Sequence, residues 1–275
     1  MYRLAQIVLV SAVCLPAWAD DPNKAAVTPA NVTAGTAGVN PDEIIRKFAA
    51  KEKEFSLARD NYTYRQTSKI QELDEGGSAG GKWEITEDVV FSPDGKRSEH
   101  VVRAPVSSLE HLLLSPEDME DLRNTQPFVL TTDQLPFYDI RYLGKQNADE
   151  ISCYVFSVKP KKLLAGKRFF EGQIWVDDRD FQIVKTYGKA VGLLKKSDDQ
   201  QFPKFETLRE QIDGKYWFPT YTHADDTLHF KDYDQRIRMI VTYKDYKKFQ
   251  GKSTITFGDV VDDKSDKPKD QPKKP

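Results

Sequence analysis

Apolar and polar residues alternate with a period of two along most of the chain. Tyr62 and Tyr64, for example, alternate with Thr63 and Arg65. The same alternation recurs over 83–86, from Trp83 and Ile85, and over 237–244, from Ile237 to Tyr243. Segments with this period are typical of strands that bury one face. The pattern therefore predicts a protein made mainly of strands.

Short turn sequences separate these segments. They are Ser92-Pro93-Asp94-Gly95, Asp177-Asp178-Arg179-Asp180 and Asp213-Gly214. Such short connections make neighbouring strands antiparallel. We expect a sheet of about eight to eleven strands, which its right-handed twist curls into a half-barrel. The segment Ile151 to Val158 is apolar on both faces, which predicts a place near the middle of the sheet.

Two stretches carry helix signals instead. In the first, Asn40 caps, Pro41 suits the first position and Glu43 sits where a capping box needs an acid. Apolar residues then recur at helical spacing up to Leu57. In the second, Ser115 caps a shorter helix that runs to about Arg123. The predicted fold class is mainly antiparallel β (α+β), with both helical segments covering the concave side of the sheet.

Two helical segments cover only part of such a face, so we expect an apolar hollow beneath them. Aromatic and aliphatic side chains on the predicted strands and the first helix are the candidates to line it. As ligand-binding residues the sequence predicts Phe48, Tyr64, Trp83, Tyr154, Phe156, Phe170, Ile174, Val176 and Trp217. Buried strand faces more often form plain core, which is the competing interpretation.

The ends of the chain differ from its centre in composition. Residues 1–19 combine Arg3, an apolar run and Ala17-Trp18-Ala19, which predicts a signal peptide cleaved after Ala19 and export to the periplasm. The apolar run is too short to span a bilayer, and Val13 before Cys14 disfavours lipidation. We expect a flexible leader over 20–39, one folded domain over 40–257 and a disordered charged tail over 258–275.

The charge and cysteine content exclude some binding partners and a disulfide. A formal net charge of -2 with interspersed signs gives no field that attracts nucleic acid. Cleavage of the predicted signal peptide removes Cys14 and leaves Cys153 as the single cysteine. We therefore expect no disulfide within the folded domain. Nothing in the sequence indicates a metal or another cofactor.

Several motifs suggest chemistry but fit a structural role better. Gly76-Gly77-Ser78-Ala79-Gly80 has the letters of an esterase nucleophile elbow and nearly those of a phosphate loop, but a β pattern follows where both need a helix. A hairpin turn is the simpler interpretation. His223, Asp225, Asp226 and His229 contain ligand types for a metal, yet their spacing favours a solvated loop. Acid pairs such as Glu206 with Glu210 favour turns or exposed strand positions.

Two hairpins resemble a known family. Gly172 to Asp177 with Asp180 to Thr186, and Phe205 to Thr207 with Gln211 to Thr220, are similar to hairpins of the outer-membrane lipoprotein-sorting proteins. These include the periplasmic lipoprotein carrier, its acceptor and the sensor domain of an envelope-stress regulator. The resemblance implies a half-open barrel closed by helices, an apolar cavity for acyl chains and no catalytic activity.

Three hypotheses follow. The first is an exported, non-enzymatic carrier or chaperone of the bacterial cell envelope that binds a lipid or an acylated polypeptide. The second is a regulatory or scaffolding module of the envelope that binds a protein partner. The third is an envelope hydrolase, for which Ser78 and Asp177 are the candidate residues.

Overall fold

The computed structural model describes residues 38–92, 96–193 and 203–248. The predicted signal peptide, almost all of the leader, the tail and the tip of the Ser92–Gly95 turn lie outside these residues. Within them, no helix has the length and apolarity needed to cross a membrane.

The chain begins with one long helix, α1 (Pro41–Arg59), followed by three strands, β1 (Tyr62–Leu73), β2 (Ala79–Phe91) and β3 (Arg97–Arg103). A long connection then contains the short helix α2 (Pro116–Glu120), a π-helical turn (Asp121–Thr125) and a 3-10 turn (Leu135–Phe137). Seven strands complete the described chain: β4 (Tyr138–Ala148), β5 (Ile151–Pro160), β6 (Phe169–Asp177), β7 (Ile183–Val191), β8 (Phe205–Gln211), β9 (Trp217–His229) and β10 (Asp234–Lys248).

The ten strands form one open sheet in the order β3-β2-β1-β10-β9-β8-β7-β6-β5-β4. Every neighbouring pair is antiparallel. The predicted fold class is confirmed: a curved half-barrel sheet whose concave side carries α1 and the short helical segment. The three predicted turns join paired strands, β2 to β3, β6 to β7 and β8 to β9.

Both helices begin after the residues that the sequence predicts as their caps. The Asn40 side chain accepts a hydrogen bond from the Glu43 N–H, and Pro41 occupies the first turn of α1. The Glu43 carboxylate pairs with Lys47 at 2.7 Å instead of returning to the cap. At α2 both halves of a capping box are present, between Ser115 and Asp118. Local capping chemistry therefore decides where both helices begin.

The position predicted for Ile151 to Val158 is wrong. This segment is β5, which lies second from one end of the sheet, beside the edge strand β4. Its outer face is buried because Val155 pairs across strands with the large side chain of Trp175, which is itself buried. Burial on both faces thus arises from an aromatic neighbour, and a central position is not required.

Candidate functional site

The candidate site is the interface between the concave face of the sheet and the segments that cover it. We call α1 together with residues 104–137 the lid. Ile44, Phe48 and Ala49 of α1 belong to the same buried cluster as concave-face residues such as Tyr64, Phe156 and Val241. From the long connection, Leu122, Phe128 and Leu130 join that cluster. The lid therefore packs onto the sheet through apolar side chains.

Most of the predicted ligand-binding residues meet in this interface. The buried cluster contains six of them: Phe48, Tyr64, Phe156, Phe170, Ile174 and Val176. Trp83 and Tyr154 are half-buried and pack against its border. Trp217 is not among its members. Whether any of the nine contacts a ligand stays a prediction.

Trp217 is the first residue of β9 and lies outside the cluster, and a β-bulge separates it from Tyr221. The register of β8 against β9 shifts between Leu208 and Arg209, so that Tyr221 and Pro219 pair with consecutive residues. The extra residue, Thr220, breaks the alternation that placed Trp217 and Tyr221 on one face. The indole N–H of Trp217 donates to the Asp180 carboxylate at 3.0 Å, at the turn after β6.

Aromatic rings fill the space between lid and sheet. The Phe48 ring of α1 lies 5.4 Å from that of Phe156, and Phe128 stacks on Phe170 with centroids 4.4 Å apart. Phe48, Phe156 and Ile174 have no exposed surface. A water-sized sphere therefore touches none of these three side chains. The hollow expected from the sequence is occupied at these positions by the lid's own side chains.

Extended segments cover part of the sheet in addition to the helices. The sequence predicts only the helices as cover. Phe128 and Leu130 follow the π-helical turn and are buried, although they lie in no helix. The short apolar run Phe128-Val129-Leu130 is the only sequence signal for this contact. Such a run without periodicity does not say which surface it covers.

A buried ion pair joins the lid to the sheet. Nη1 of Arg209, on β8, lies 3.0 Å from Oε1 of Glu52, on α1, and both side chains are 1% exposed. Arg209 also donates to the Phe128 carbonyl, and the Ile183 N–H donates to Glu52. Burial raises the pKa of Glu52, against the opposing effect of Arg209. The pair fixes two lid segments to one strand.

A row of hydroxyl groups forms a second polar contact under the lid. Oγ1 of Thr207 donates to the Gln126 carbonyl at 2.9 Å. Its proton is thereby used, so the 2.8 Å contact with Thr222 requires Thr222 to be the donor. Tyr243 OH then donates to Thr222 at 3.4 Å. Burial raises the pKa of Tyr243, which keeps this hydroxyl protonated.

A third contact holds the part of the lid that follows β3. We call residues 104–114 the strap. The buried Glu72 carboxylate accepts hydrogen bonds from three consecutive strap amides, those of Glu110, His111 and Leu112, at 2.8 to 3.2 Å. The Ser108 N–H donates to the Lys82 carbonyl, and the Lys82 N–H donates to Oγ of Ser108. The sequence gives no sign that Glu72 is buried or that it binds backbone.

The motifs that suggested chemistry have structural roles. Ser78 lies in the β1–β2 hairpin, where its N–H donates to Asp74, and β2 follows it directly. The His223 to His229 segment is part of β9, so the predicted solvated loop is wrong. Its side chains pair across strands, as Asp225 does with Arg236 and Arg238. Among the described residues, no group of three His, Cys, Asp or Glu is placed to hold a metal ion.

Two groups near the site have a strongly raised pKa: Asp121 at its border and Cys153 behind it. Burial raises the pKa of Asp121, in the π-helical turn, to about 6, although Arg168 lies 3.2 Å away. Burial raises the pKa of the Cys153 thiol to about 12, so this cysteine stays protonated and unreactive at neutral pH. Neither arrangement provides an activated nucleophile.

Comparison with known proteins gives matches among solved structures. A DUF1329 family protein from Desulfovibrio piger has 16% identity and a TM-score of 0.44, with 78% of this chain and 96% of that chain covered. A LolA superfamily protein from Nitrosomonas europaea has 13% identity and a TM-score of 0.31, covering 77% and 94%. An outer-membrane lipoprotein-sorting protein domain from Vibrio parahaemolyticus has 11% identity and a TM-score of 0.34, covering 74% and 93%.

Two of these matched structures carry the names of the outer-membrane lipoprotein-sorting proteins, the family that the two hairpins resemble. No protein-family model matches the chain, and no curated protein matches it.

Proposed function

We propose that this chain is a non-enzymatic binding protein of the bacterial cell envelope that takes up a lipid or an acylated polypeptide between its sheet and its lid. The observation that carries the proposal is the composition of that interface. Large aromatic and aliphatic side chains face each other across it, and a few polar contacts hold the lid in place. Sequence features support the location, since residues 1–19 predict export to the periplasm.

Uptake requires the lid to move. Phe48 and Phe156 have no exposed surface, so an acyl chain has to replace lid side chains rather than enter beside them. Each methylene removed from water contributes about 0.8 kcal/mol, so a chain of about ten contributes about 8 kcal/mol against the cost of opening the lid. The expected ligand is therefore a long alkyl chain.

The test uses the mature chain purified from its native envelope and a fluorescent fatty acid, 11-dansylaminoundecanoic acid. We expect lipid in an organic extract of the protein and saturable binding of the probe. Arg209→Met, which releases Glu52 and the Phe128 carbonyl, should speed uptake because it loosens the lid. Lys47→Ala, which removes a solvent-exposed ion pair on the same helix, is the control and should not change the rate.

The proposal fails if the extract contains no lipid and neither the wild type nor Arg209→Met binds the probe. Circular dichroism and thermal unfolding establish that the variant remains folded. A folded Arg209→Met variant that takes up probe no faster than Lys47→Ala would contradict the role given to the lid.

A further inference from the structure

Both edge strands, β4 and β3, carry charged residues, but after β3 the edge continues into a stretch of low charge. β4, at one end, carries Asp139, Arg141 and Lys145 along its length. Charged residues of this kind protect an edge strand from pairing with other chains. At the opposite end lie β3 and the strap, where the nine consecutive residues His100 to Ser108 are all exposed.

This exposed stretch is poor in charge. Arg103 is the only Asp, Glu, Lys or Arg within it, whereas these residues make up 31% of the whole chain. Arg103 is moreover paired with Glu84 of β2. Apolar side chains project instead: Val101 is 60% exposed and Val106 is 96% exposed. Single exposed valines are ordinary, but three on one edge of low charge, Val101, Val102 and Val106, indicate an interaction surface.

The stretch is held extended at both ends. At its start, Arg97 donates to the Arg123 carbonyl at 2.8 Å and to the Gln66 side chain at 3.1 Å. At its end, the Ser108 N–H donates to the Lys82 carbonyl at 2.9 Å. A Cβ atom on Gly81 would lie 2.2 Å from the Ser108 carbonyl oxygen, so the glycine is what allows this close approach. The edge therefore loses little conformational freedom when something binds to it.

We propose that β3 and the first half of the strap, residues 98–106, bind an extended peptide segment of a partner protein by adding it as an eleventh strand. Among the described residues, β2 is the one strand that pairs with β3. Apart from Pro105, which has no N–H, the outward backbone N–H and C=O groups of this edge are complementary to another extended backbone. Every pair in this sheet is antiparallel, and the added peptide continues that order.

The side chains define the chemistry of the peptide. The depletion of charge over His100 to Ser108 selects a segment whose central residues are uncharged, with β-branched or other apolar side chains that pack on Val101 and Val106. A charged residue in the centre would be desolvated against valines without a counter-charge. Val101 and Val106 are exposed and do not belong to the buried cluster of the lid–sheet interface.

The experiment uses the full mature chain and the synthetic peptide acetyl-Lys-Thr-Val-Thr-Val-Thr-Val-Thr-Lys-amide, with a fluorescent label for anisotropy. We expect saturable binding, together with slower amide hydrogen exchange over residues 97–106. The control peptide has proline at the central valine, which removes a backbone donor and should abolish binding. The exchange measurement needs no variant, so it tests the proposal even if a variant fails to fold.

Two variants locate the surface. Val101→Lys combined with Val106→Lys should weaken binding about tenfold or more, because lysines on an edge oppose strand addition. Leu193→Lys replaces an apolar residue of similar exposure, 56%, outside this edge and should bind like the wild type. Equal binding by the two proteins, or no slowing of exchange over 97–106, overturns the proposal.

Two other outcomes overturn it as well. If the chain dimerises in analytical ultracentrifugation and the double variant abolishes the dimer, a second copy occupies the edge. If liposomes of phosphatidylethanolamine and phosphatidylglycerol bind the wild type but not the double variant, while the peptide binds neither, the edge contacts a lipid surface.

Discussion

The guanidinium of Arg209 and the carboxylate of Glu52 join the middle of the sheet to the middle of α1, with Nη1 and Oε1 3.0 Å apart and both side chains buried. A charge removed from water is stabilised only while its partner and hydrogen bonds remain. The same arginine holds the Phe128 carbonyl, so helix and extended lid depend on one side chain.

Loss of this ion pair should strongly destabilise the protein. Arg209→Ala leaves the Glu52 charge buried without a partner, and we expect a loss of about 3 to 5 kcal/mol in the free energy of unfolding. Urea titration followed by circular dichroism measures it. Lys47→Ala, which breaks the exposed pair with Glu43, should leave the free energy of unfolding almost unchanged, because solvent screens this pair. Similar losses in the two variants would show that burial of the pair has no effect.

The hydroxyl row should contribute less, but measurably. Thr207→Val keeps the shape of the side chain while it leaves the Gln126 carbonyl without its donor, and we expect a loss of about 1 to 3 kcal/mol. Hydrogen exchange of the amides around Gln126 should accelerate with it. Thr67→Val is the matched control, since it breaks a threonine–threonine contact of 3.1 Å with Thr86 on the other face of the sheet. No change at Thr207→Val would contradict the anchoring role.

The packing of two glycines predicts a steric effect. Gly172 and Gly188 pair across β6 and β7, and a Cβ on Gly188 would lie 2.4 Å from the Glu171 carbonyl oxygen and 2.7 Å from Cζ of Phe170. Gly188→Ala should therefore destabilise the fold by about 1 to 3 kcal/mol and displace the Phe170 ring. The change in thermal midpoint measures this.

Gly80→Ala provides the control for that substitution. The nearest atom to a Cβ at Gly80 is 3.4 Å away, an ordinary contact, and this position also lies in a strand. We expect a small effect there. If both alanine variants unfold at the same temperature, close contact at Gly188 is not the cause.

The pKa of Asp121 predicts a pH dependence whose sign is opposite to that of an ordinary ion pair. Burial raises this pKa from 3.8 to about 6, so the folded state binds the proton more tightly than the unfolded state does. The contribution of Asp121 to stability is full below pH 4 and is lost as the pH rises through about 6. The linked change is on the order of 2 to 3 kcal/mol.

Measurement of unfolding free energies between pH 4 and pH 7 tests this. The difference between Asp121→Asn and wild type should change in favour of the variant as the pH rises. Asp178→Asn is the control, because the hydrogen bond from Lys145 lowers the pKa of Asp178 from 3.8, so its contribution is lost only below that value and changes little between pH 4 and pH 7. A difference at Asp121 that does not vary with pH would contradict the assignment.

The sequence determined the strands, the helix starts and the antiparallel order, because each depends on neighbours along the chain. Alternation at Ile237 to Tyr243 and capping at Asn40 are local effects, and both are present in the structure. Six of the nine predicted site residues share one buried cluster for the same reason, since period two assigns the strand side chains to a face and helical spacing does so for Phe48.

Only the tertiary structure decided what covers that face. The contacts of Arg209 with Glu52 and of Thr207 with Gln126 join residues 157 and 81 positions apart, and no local pattern specifies such pairs. A single bulge at Thr220 put Trp217 and Tyr221 on opposite faces of the sheet, which the alternation in the sequence does not indicate. Closure of the concave face by Phe128 and Leu130 depends on the path of a segment without regular structure, which is set by packing against distant strands.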